Sequence, residues 1–376
     1  MDDRDLHAHL INQQGSRKSL NTPVLLIDLD AFERNVAAMA ALAKASNLRL
    51  RPHAKTHKCA EIARRQVAAG AVGVCCAKLG EAEEMAAGGI ASILITSPIV
   101  SPQAIARLIK LNDRIPDLQV VLDNIDNAKA LAAATTGKAL KILIDVDPGI
   151  RRTGVASADA AVALAQTIAA LPGLNFTGVQ YYCGRQQHIE AYAERRTEII
   201  DRSDYMRGVI AALTEAGFAP GIITGGGTGT HRIDIELGLL NELQAGSYIF
   251  MDRQYNECDI TGQGAPGYDT ALLIDARVVS ANTPGLGTID AGFKAMATDG
   301  GPPTVLSGAP AGAAFHFMGD EHGLVLFGDA SPPIGEIVTL AVPHCDPTVN
   351  LYDFYHVVRG DTLVDLWRIE GRGRSR

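Results

Sequence analysis

From Leu48 to Tyr248, short β-rich runs alternate with alanine-rich stretches whose apolar residues recur at helical intervals. Strand, helix, strand in this rhythm builds parallel pairs by crossover, so the chain is committed to a helix-covered parallel sheet. The strands fall at Leu48–Arg51, Gly73–Ala77, Ser92–Thr96, Leu118–Leu122, Ala139–Asp145, Asn175–Tyr182, Gly221–Thr224 and Asn241–Tyr248, with helices beginning near Lys58, Leu79, Pro102, Ile125, Ser157, Glu190 and Arg232. Eight such units close a (β/α)8 barrel of the TIM type. An open doubly wound sheet is the competing arrangement. It does not require a lysine, an arginine and a glycine turn all at the same ends of widely separated strands.

Ahead of the rhythm, Thr22–Asp30 reads as a buried strand and Ala31–Ala45 as a helix, while residues 1–22 are polar and expected to lie over another part of the molecule. After Tyr255 the texture changes. Thr270–Val279, Leu324–Phe327, Glu336–Leu340 and Phe354–Arg359 are strands broken by Gly and Pro with little helical spacing between them, which marks a second, all-β domain. The basic tail Arg372–Arg376 is expected to be solvated.

Composition excludes several classes. With 34 Lys+Arg against 42 Asp+Glu the net charge is -8, and the basic residues are scattered, so no face for nucleic acid is implied. No apolar run approaches the roughly 20 residues that cross a bilayer. Cys59, Cys75, Cys76, Cys183, Cys258 and Cys345 show neither metal-finger spacing nor a secreted framework, and the first residues are polar, so a reduced, cytoplasmic protein is expected.

Four stretches carry chemistry. In Arg51-Pro52-His53-Ala54-Lys55-Thr56-His57-Lys58, Pro52 stops the strand and leaves Lys55 at its C-terminal end, where barrels collect reactive groups. His53, His57 and Lys58 are expected to favour the neutral, nucleophilic lysine of Schiff-base chemistry; alone, the stretch also reads as a basic loop. Thr224-Gly225-Gly226-Gly227-Thr228-Gly229-Thr230 follows another strand and offers backbone N–H groups and hydroxyls to a phosphate. It lacks nucleotide and dinucleotide signatures, so a small phosphate monoester fits, a plain connector being the alternative. Arg152, before Thr153-Gly154, could hold a phenolate or carboxylate oxygen. His344-Cys345-Asp346 lies between two prolines; if extended, His344 and Asp346 share a face with Cys345 turned away, and two such ligands leave open positions on a catalytic Mn²⁺, Mg²⁺ or Zn²⁺. Asp320-Glu321-His322 is a second acid–imidazole cluster.

Together with Gly73–Lys78, Glu242–Tyr248, Asp290–Lys294 and Pro343–Thr348, these stretches resemble the fold-type III pyridoxal phosphate enzymes, and within them the D-threonine aldolase/D-serine dehydratase family. The resemblance implies an alanine racemase-like barrel at residues 31–255, and a β-domain of residues 1–30 plus 256–376 carrying a metal on His344 and Asp346. It implies pyridoxal phosphate bound as a Schiff base on Lys55, contacted by Arg152, Tyr182, Thr224, Gly226, Gly227, Thr228, Gly229, Gly246, Ser247 and Tyr248, with His53 and His188 as further catalytic groups. A homodimer and a D-β-hydroxy-α-amino acid substrate follow from the same resemblance. Family aldolases resemble His-x-Asp at the metal site and dehydratases His-x-Cys, so Asp346 points to an aldolase giving glycine and an aldehyde. The dehydratase reaction, giving a 2-oxo acid and ammonia from D-serine or 3-hydroxyaspartate, is the alternative. Cys183 and Arg185 replace the His and the small or apolar residue that the resemblance leads one to expect; an Arg185 facing the substrate would suit D-3-hydroxyaspartate.

Overall fold

The structure, a computed structural model, describes residues 2–376. Strand β1 (Val24–Asp28) leads into the helix Leu29–Ala45, whose first turn is capped by the Asp28 carboxylate accepting the Ala31 N–H at 3.0 Å. Then β2 (Arg49–Leu50), β3 (Val74–Cys76), β4 (Ser92–Ile95), β5 (Asp117–Leu122), β6 (Leu140–Val146), β7 (Leu174–Tyr181), β8 (Ile222–Gly225) and β9 (Glu242–Leu243) form one parallel sheet in the order β2-β9-β8-β7-β6-β5-β4-β3. A bridge between His53 and Cys75, with Ala54 N–H donating to Cys75 O at 2.7 Å, joins the two outer strands and closes the barrel.

At the N-terminal ends of the strands the interior is filled by polar groups. Buried Arg51 donates to Glu242 at 3.0 Å and to the Ser92 hydroxyl at 2.8 Å, and Lys141 donates to Asp117 at 2.7 Å. The opposite ends are left open for a site, as barrels of this kind require.

The remaining strands are β10 (Leu272–Ser280), β11 (Leu286–Ile289), β12 (Thr304–Ser307), β13 (Phe315–Phe317), β14 (Gly323–Leu326), β15 (Ile337–Ala341), β16 (Phe354–Arg359) and β17 (Thr362–Arg368). They build a mostly antiparallel sheet with main path β13-β14-β11-β10-β1-β16-β17, in which β15 pairs with β10 and β12. β1 thus belongs to this sheet, antiparallel to β10 and parallel to β16. The polar N-terminal residues cover it: Leu10 and Leu20 pack with Leu26, Phe354 and Leu363, and Arg17 pairs with Asp275 at 2.7 Å.

Two expectations are corrected. β9 stops at Leu243, because Gly246 passes so close to the lysine loop that a Cβ there would lie 2.8 Å from Thr56 Oγ1 and 3.0 Å from His53 O; Ser247–Ile249 is a 3₁₀ turn. β11, β12, β13 and β17 add to the strands expected. The basic tail Arg372–Arg376 is exposed, as expected, and touches the helices Leu79–Ala87 and Pro102–Arg114 through Arg374 pairing with Glu84 at 2.9 Å and Arg107 donating to Arg376 O at 3.1 Å.

Candidate active site

The segment after β2 is held from behind. Lys58 adopts a left-handed backbone (φ 53°), its ammonium is taken by Glu81, and its carbonyl accepts the Gly371 N–H at 2.8 Å. Glu370 accepts the Ala60 N–H at 3.0 Å and the Tyr355 hydroxyl donates to His57 O at 2.7 Å. What remains free is Lys55, which lines a cavity of about 240 Å³ at the C-terminal mouth of the barrel and forms an ion pair with Asp346.

The electrostatics differ from the sequence expectation. Burial works to lower the Lys55 pKa, but the Asp346 carboxylate outweighs it, and the net shift is upward. The same pair holds Asp346 below the usual carboxylate range despite burial. The neighbours thought to repel a charge on Lys55 do not: burial pulls His57 down to about 3, His53 well below its usual value, and Lys58 is neutralised by Glu81. His53 is fixed at both nitrogens, Nδ1 accepting the Lys55 N–H at 3.3 Å and Nε2–H donating to Thr96 Oγ1 at 3.1 Å. Both contacts hold its ring rigidly in the cavity wall.

The glycine turn forms the opposite side. Gly226 is left-handed (φ 70°), the Gly227 N–H donates to Thr230 Oγ1 at 3.2 Å, and the Gly229 N–H donates to Gln187 Oε1 at 3.0 Å. The buried Thr228 hydroxyl has no partner among the described residues. A bare glycine concavity with an unpaired hydroxyl fits a phosphate group. Gly226, Gly227, Thr228, Gly246 and Ser247 line the cavity. Thr224, Gly229 and Tyr248 do not: the Thr224 hydroxyl accepts from Gln244 at 3.1 Å, Gly229 is tied to Gln187, and the Tyr248 hydroxyl is buried against Gln66 at 3.1 Å.

Arg152 and Tyr182 stand together at the rim, the guanidinium 5.7 Å from the ring centroid. Between them and the floor runs a relay absent from the sequence reading: Gln244 donates to Gln180 at 3.2 Å, Gln180 to Asp145 at 3.0 Å, and Thr153 to Asp145 at 2.7 Å. Amides on barrel strands carry no motif, which is why they escaped. Tyr255 also lines the cavity; His188 is itself exposed and outside the lining, its ring centroid 4.4 Å from that of Tyr255, and the desolvation of its ring, then His344 and Lys55, draw it down to about 4. Arg185 is exposed and outside the cavity lining, so the geometry gives it no substrate contact.

His344 and Asp346 do converge beside Lys55, by a different backbone from that expected. His344 is the extended N-cap of a short helix, Cys345–Val349, so Asp346 projects from the first helical turn, where Pro347 is tolerated. Cys345 is buried, its N–H held by Asp252 at 2.8 Å. His344 Nδ1–H donates to Asp299 at 2.8 Å, which leaves the Nε2 lone pair free. A carboxylate-oriented imidazole beside a carboxylate that already holds a cationic group fits a divalent cation. Asp320 and Glu321 lie elsewhere, both paired with exposed Lys294.

Asp3, His7 and His356 also bring three potential donors together. His7 Nε2 accepts the Asn21 N–H at 3.0 Å, so its Nδ1–H is donated to His356 Nε2 at 2.8 Å. A metal on Nδ1 would turn a His7 N–H against that of Asn21, so these histidines are a hydrogen-bonded pair fastening the N-terminus.

A lysine, a glycine phosphate cradle and an arginine at the mouth of this barrel define the alanine racemase-like class of fold-type III pyridoxal phosphate proteins. The comparisons with known proteins agree. A family model described as the N-terminal domain of alanine racemase matches residues 27–254, and one described as a putative serine dehydratase domain matches residues 271–358. The chain is 40% identical to D-threonine aldolase of an Arthrobacter species over 95% of this chain and 94% of that one, and 37% identical to 3-hydroxy-D-aspartate aldolase of Paracoccus denitrificans strain Pd 1222 over 95% and 93%. It superposes on the crystal structure of D-threonine aldolase from Filomicrobium marinum with a TM-score of 0.91 at 38% identity, covering 95% of this chain and 97% of that one. The chain belongs to the D-threonine aldolase/D-serine dehydratase-like family of fold-type III pyridoxal phosphate enzymes. No helix among the described residues is long and apolar enough to cross a membrane.

Proposed function

We propose that this protein is a pyridoxal phosphate- and divalent metal-dependent aldolase that cleaves D-β-hydroxy-α-amino acids of the D-threonine type to glycine and an aldehyde. The observation that carries the reading is the meeting of Lys55 with Asp346, beside His344, at the mouth of the glycine cradle. Pyridoxal phosphate supplies an electron sink for the bond that breaks, and a divalent cation on His344 and Asp346 supplies a Lewis acid for the β-hydroxyl.

The protein's own groups do the rest. Lys55 would hold the cofactor's aldehyde group, Gly226, Gly227 and Thr228 would hold its phosphate with Gly246 and Ser247 alongside, and Arg152 beside Tyr182 would bind its ring. His53, locked by Thr96, packs as a wall and excludes water. His188, whose ring packs on the cavity-lining Tyr255 within reach of the fields of His344 and Lys55, would take the β-hydroxyl proton on its neutral imidazole once substrate enters. Asp299 orients His344, and Asp252 fixes the backbone at Cys345.

In the same reading the barrel comprises residues 31–255, and residues 1–30 with 256–376 form the domain that brings the metal ligands. The exposed Phe293 and Met318, beside the stacked Phe293–Phe317 pair, support a homodimer. Six unpaired, buried cysteines support a reducing, cytoplasmic setting.

The test is Lys55→Ala, with thorough chelation of the wild type as a second arm. Each is expected to abolish cleavage of D-threonine, and Lys55→Ala also to lose the visible absorbance of the bound cofactor. Full retro-aldol activity in either would overturn the assignment.

A further inference from the structure

Beneath the glycine cradle lies a carboxyl group that the mechanism does not use. Asp234, on the helix His231–Leu237, is 4% exposed, and its Oδ2 accepts the Thr230 hydroxyl at 2.7 Å. That hydroxyl oxygen in turn accepts the Gly227 N–H at 3.2 Å and a Gln187 amide N–H at 3.1 Å. The same Oδ2 lies 2.5 Å from where a Cβ on Gly226 would sit, so carboxyl and cradle backbone are in contact.

No lysine or arginine among the described residues pairs with it. The titratable groups facing it from β7 and the turn after it are Tyr181 and Cys183. Burial pushes both up, Cys183 to about 12, so they are neutral. On its own helix, burial draws His231 down to about 4; its Nδ1–H is given to Thr228 O at 2.8 Å and its Nε2 accepts the Tyr268 hydroxyl at 3.0 Å. Arg232 carries its guanidinium toward Gly267. Burial lifts Asp234 itself to about 7, the Thr230 hydroxyl holding it back.

We infer that Asp234 takes up a proton when a phosphate dianion docks on the cradle, so that loading of the cofactor site is linked to pH. Two like charges across one layer of backbone, with no cation between them, cannot both persist without cost. The proton comes from solvent onto the carboxylate, the Thr230 bond is retained, and no covalent bond changes. The inference rests on reading Gly225–Thr230 as a phosphate cradle. Where the unliganded carboxyl is ionised, binding should take up as much as one proton, and affinity should fall by up to about tenfold per pH unit as pH rises through that range.

The probe is pyridoxine 5′-phosphate, a dianion at pH 8 with no aldehyde for Lys55 to engage. Calorimetry at pH 8 in two buffers of different ionisation enthalpy should count close to one proton in the wild type and none in Asp234→Asn, whose amide oxygen keeps the Thr230 bond. In the wild type alone, the infrared difference spectrum on binding should show a new carboxylic acid C=O band that shifts with ¹³C-labelled aspartate; this stands even if the variant does not fold. Binding with no proton uptake, with equal uptake in both proteins, or without that band overturns the inference and leaves the cofactor reading intact. Absence of any binding overturns both.

Discussion

Replacing Asp299 by alanine should weaken metal binding without touching the chemistry. Its carboxylate receives His344 Nδ1–H at 2.8 Å and thereby keeps the Nε2 lone pair turned outward. A hydrogen bond to a charged group contributes about 1.5–3 kcal/mol. Here the Asp299 side chain is 57% exposed and that of His344 25%, so water competes for both ends and the lower part of the range applies. About 1.4 kcal/mol corresponds to about tenfold in affinity, the lower edge of what losing such an outer partner costs. Mn²⁺ binding followed by the loss of the free-ion EPR signal should therefore show Kd about tenfold higher in Asp299→Ala. kcat at saturating Mn²⁺ should stay within about twofold, since the reacting groups are untouched. Asp299→Asn, which can still accept the bond, should fall between. Unchanged Mn²⁺ affinity would refute the argument that Asp299 orients a ligand, and a kcat loss that saturating metal does not restore would place Asp299 in the chemistry instead.

Other perturbations test the remaining parts. Gly227→Ala drives a Cβ into Gln187 Oε1, the atom that holds the Gly229 N–H. Overpacking of about 1–3 kcal/mol should weaken cofactor binding about 5- to 150-fold in an absorbance titration, and unchanged affinity would put the phosphate elsewhere. His57, His231 and His356 are buried and drawn down to about 3, about 4 and about 3. Their folded values lie below the unfolded one of about 6.5, so their contribution is complete above pH 6.5 and is lost as pH falls toward 4, by up to about 1.4 kcal/mol per pH unit each. Thermal midpoints should fall steadily from pH 6.5 to 4, and less steeply in His356→Gln; a level midpoint down to pH 4.5 would contradict this. Arg185→Ala should leave the ratio of kcat/KM for D-threonine and D-3-hydroxyaspartate within about twofold, because the side chain is exposed and off the cavity lining. A selective loss on the acidic substrate would show that Arg185 reaches the site.

The barrel is legible because parallel strands buried on both faces read as continuous apolar runs, which mark all eight positions, the eighth running past its true end at Leu243. Reactive groups at their C-terminal ends were legible for the same reason: Lys55, Arg152 and Gly226 each follow a recognisable strand. Charge states were not legible. The neighbours of Lys55 along the chain suggested a neutral amine, but its charge is set by Asp346, 291 positions away, while Lys58 turns to Glu81. Side chains that act through others were equally hidden. Asp299 lies in a Gly/Pro-rich loop, and Gln180 and Gln244 sit in or just after barrel strands where only apolar spacing is visible.

The central claim is carbon–carbon cleavage at a metal-assisted cofactor site. Product analysis of the purified protein with pyridoxal phosphate, Mn²⁺ and D-threonine, beside D-serine and a chelated control, addresses it directly. The account predicts glycine and acetaldehyde from D-threonine in equal amounts, lost on chelation, and no comparable turnover of D-serine. A 2-oxo acid with ammonia in place of glycine would contradict it and make the protein a dehydratase.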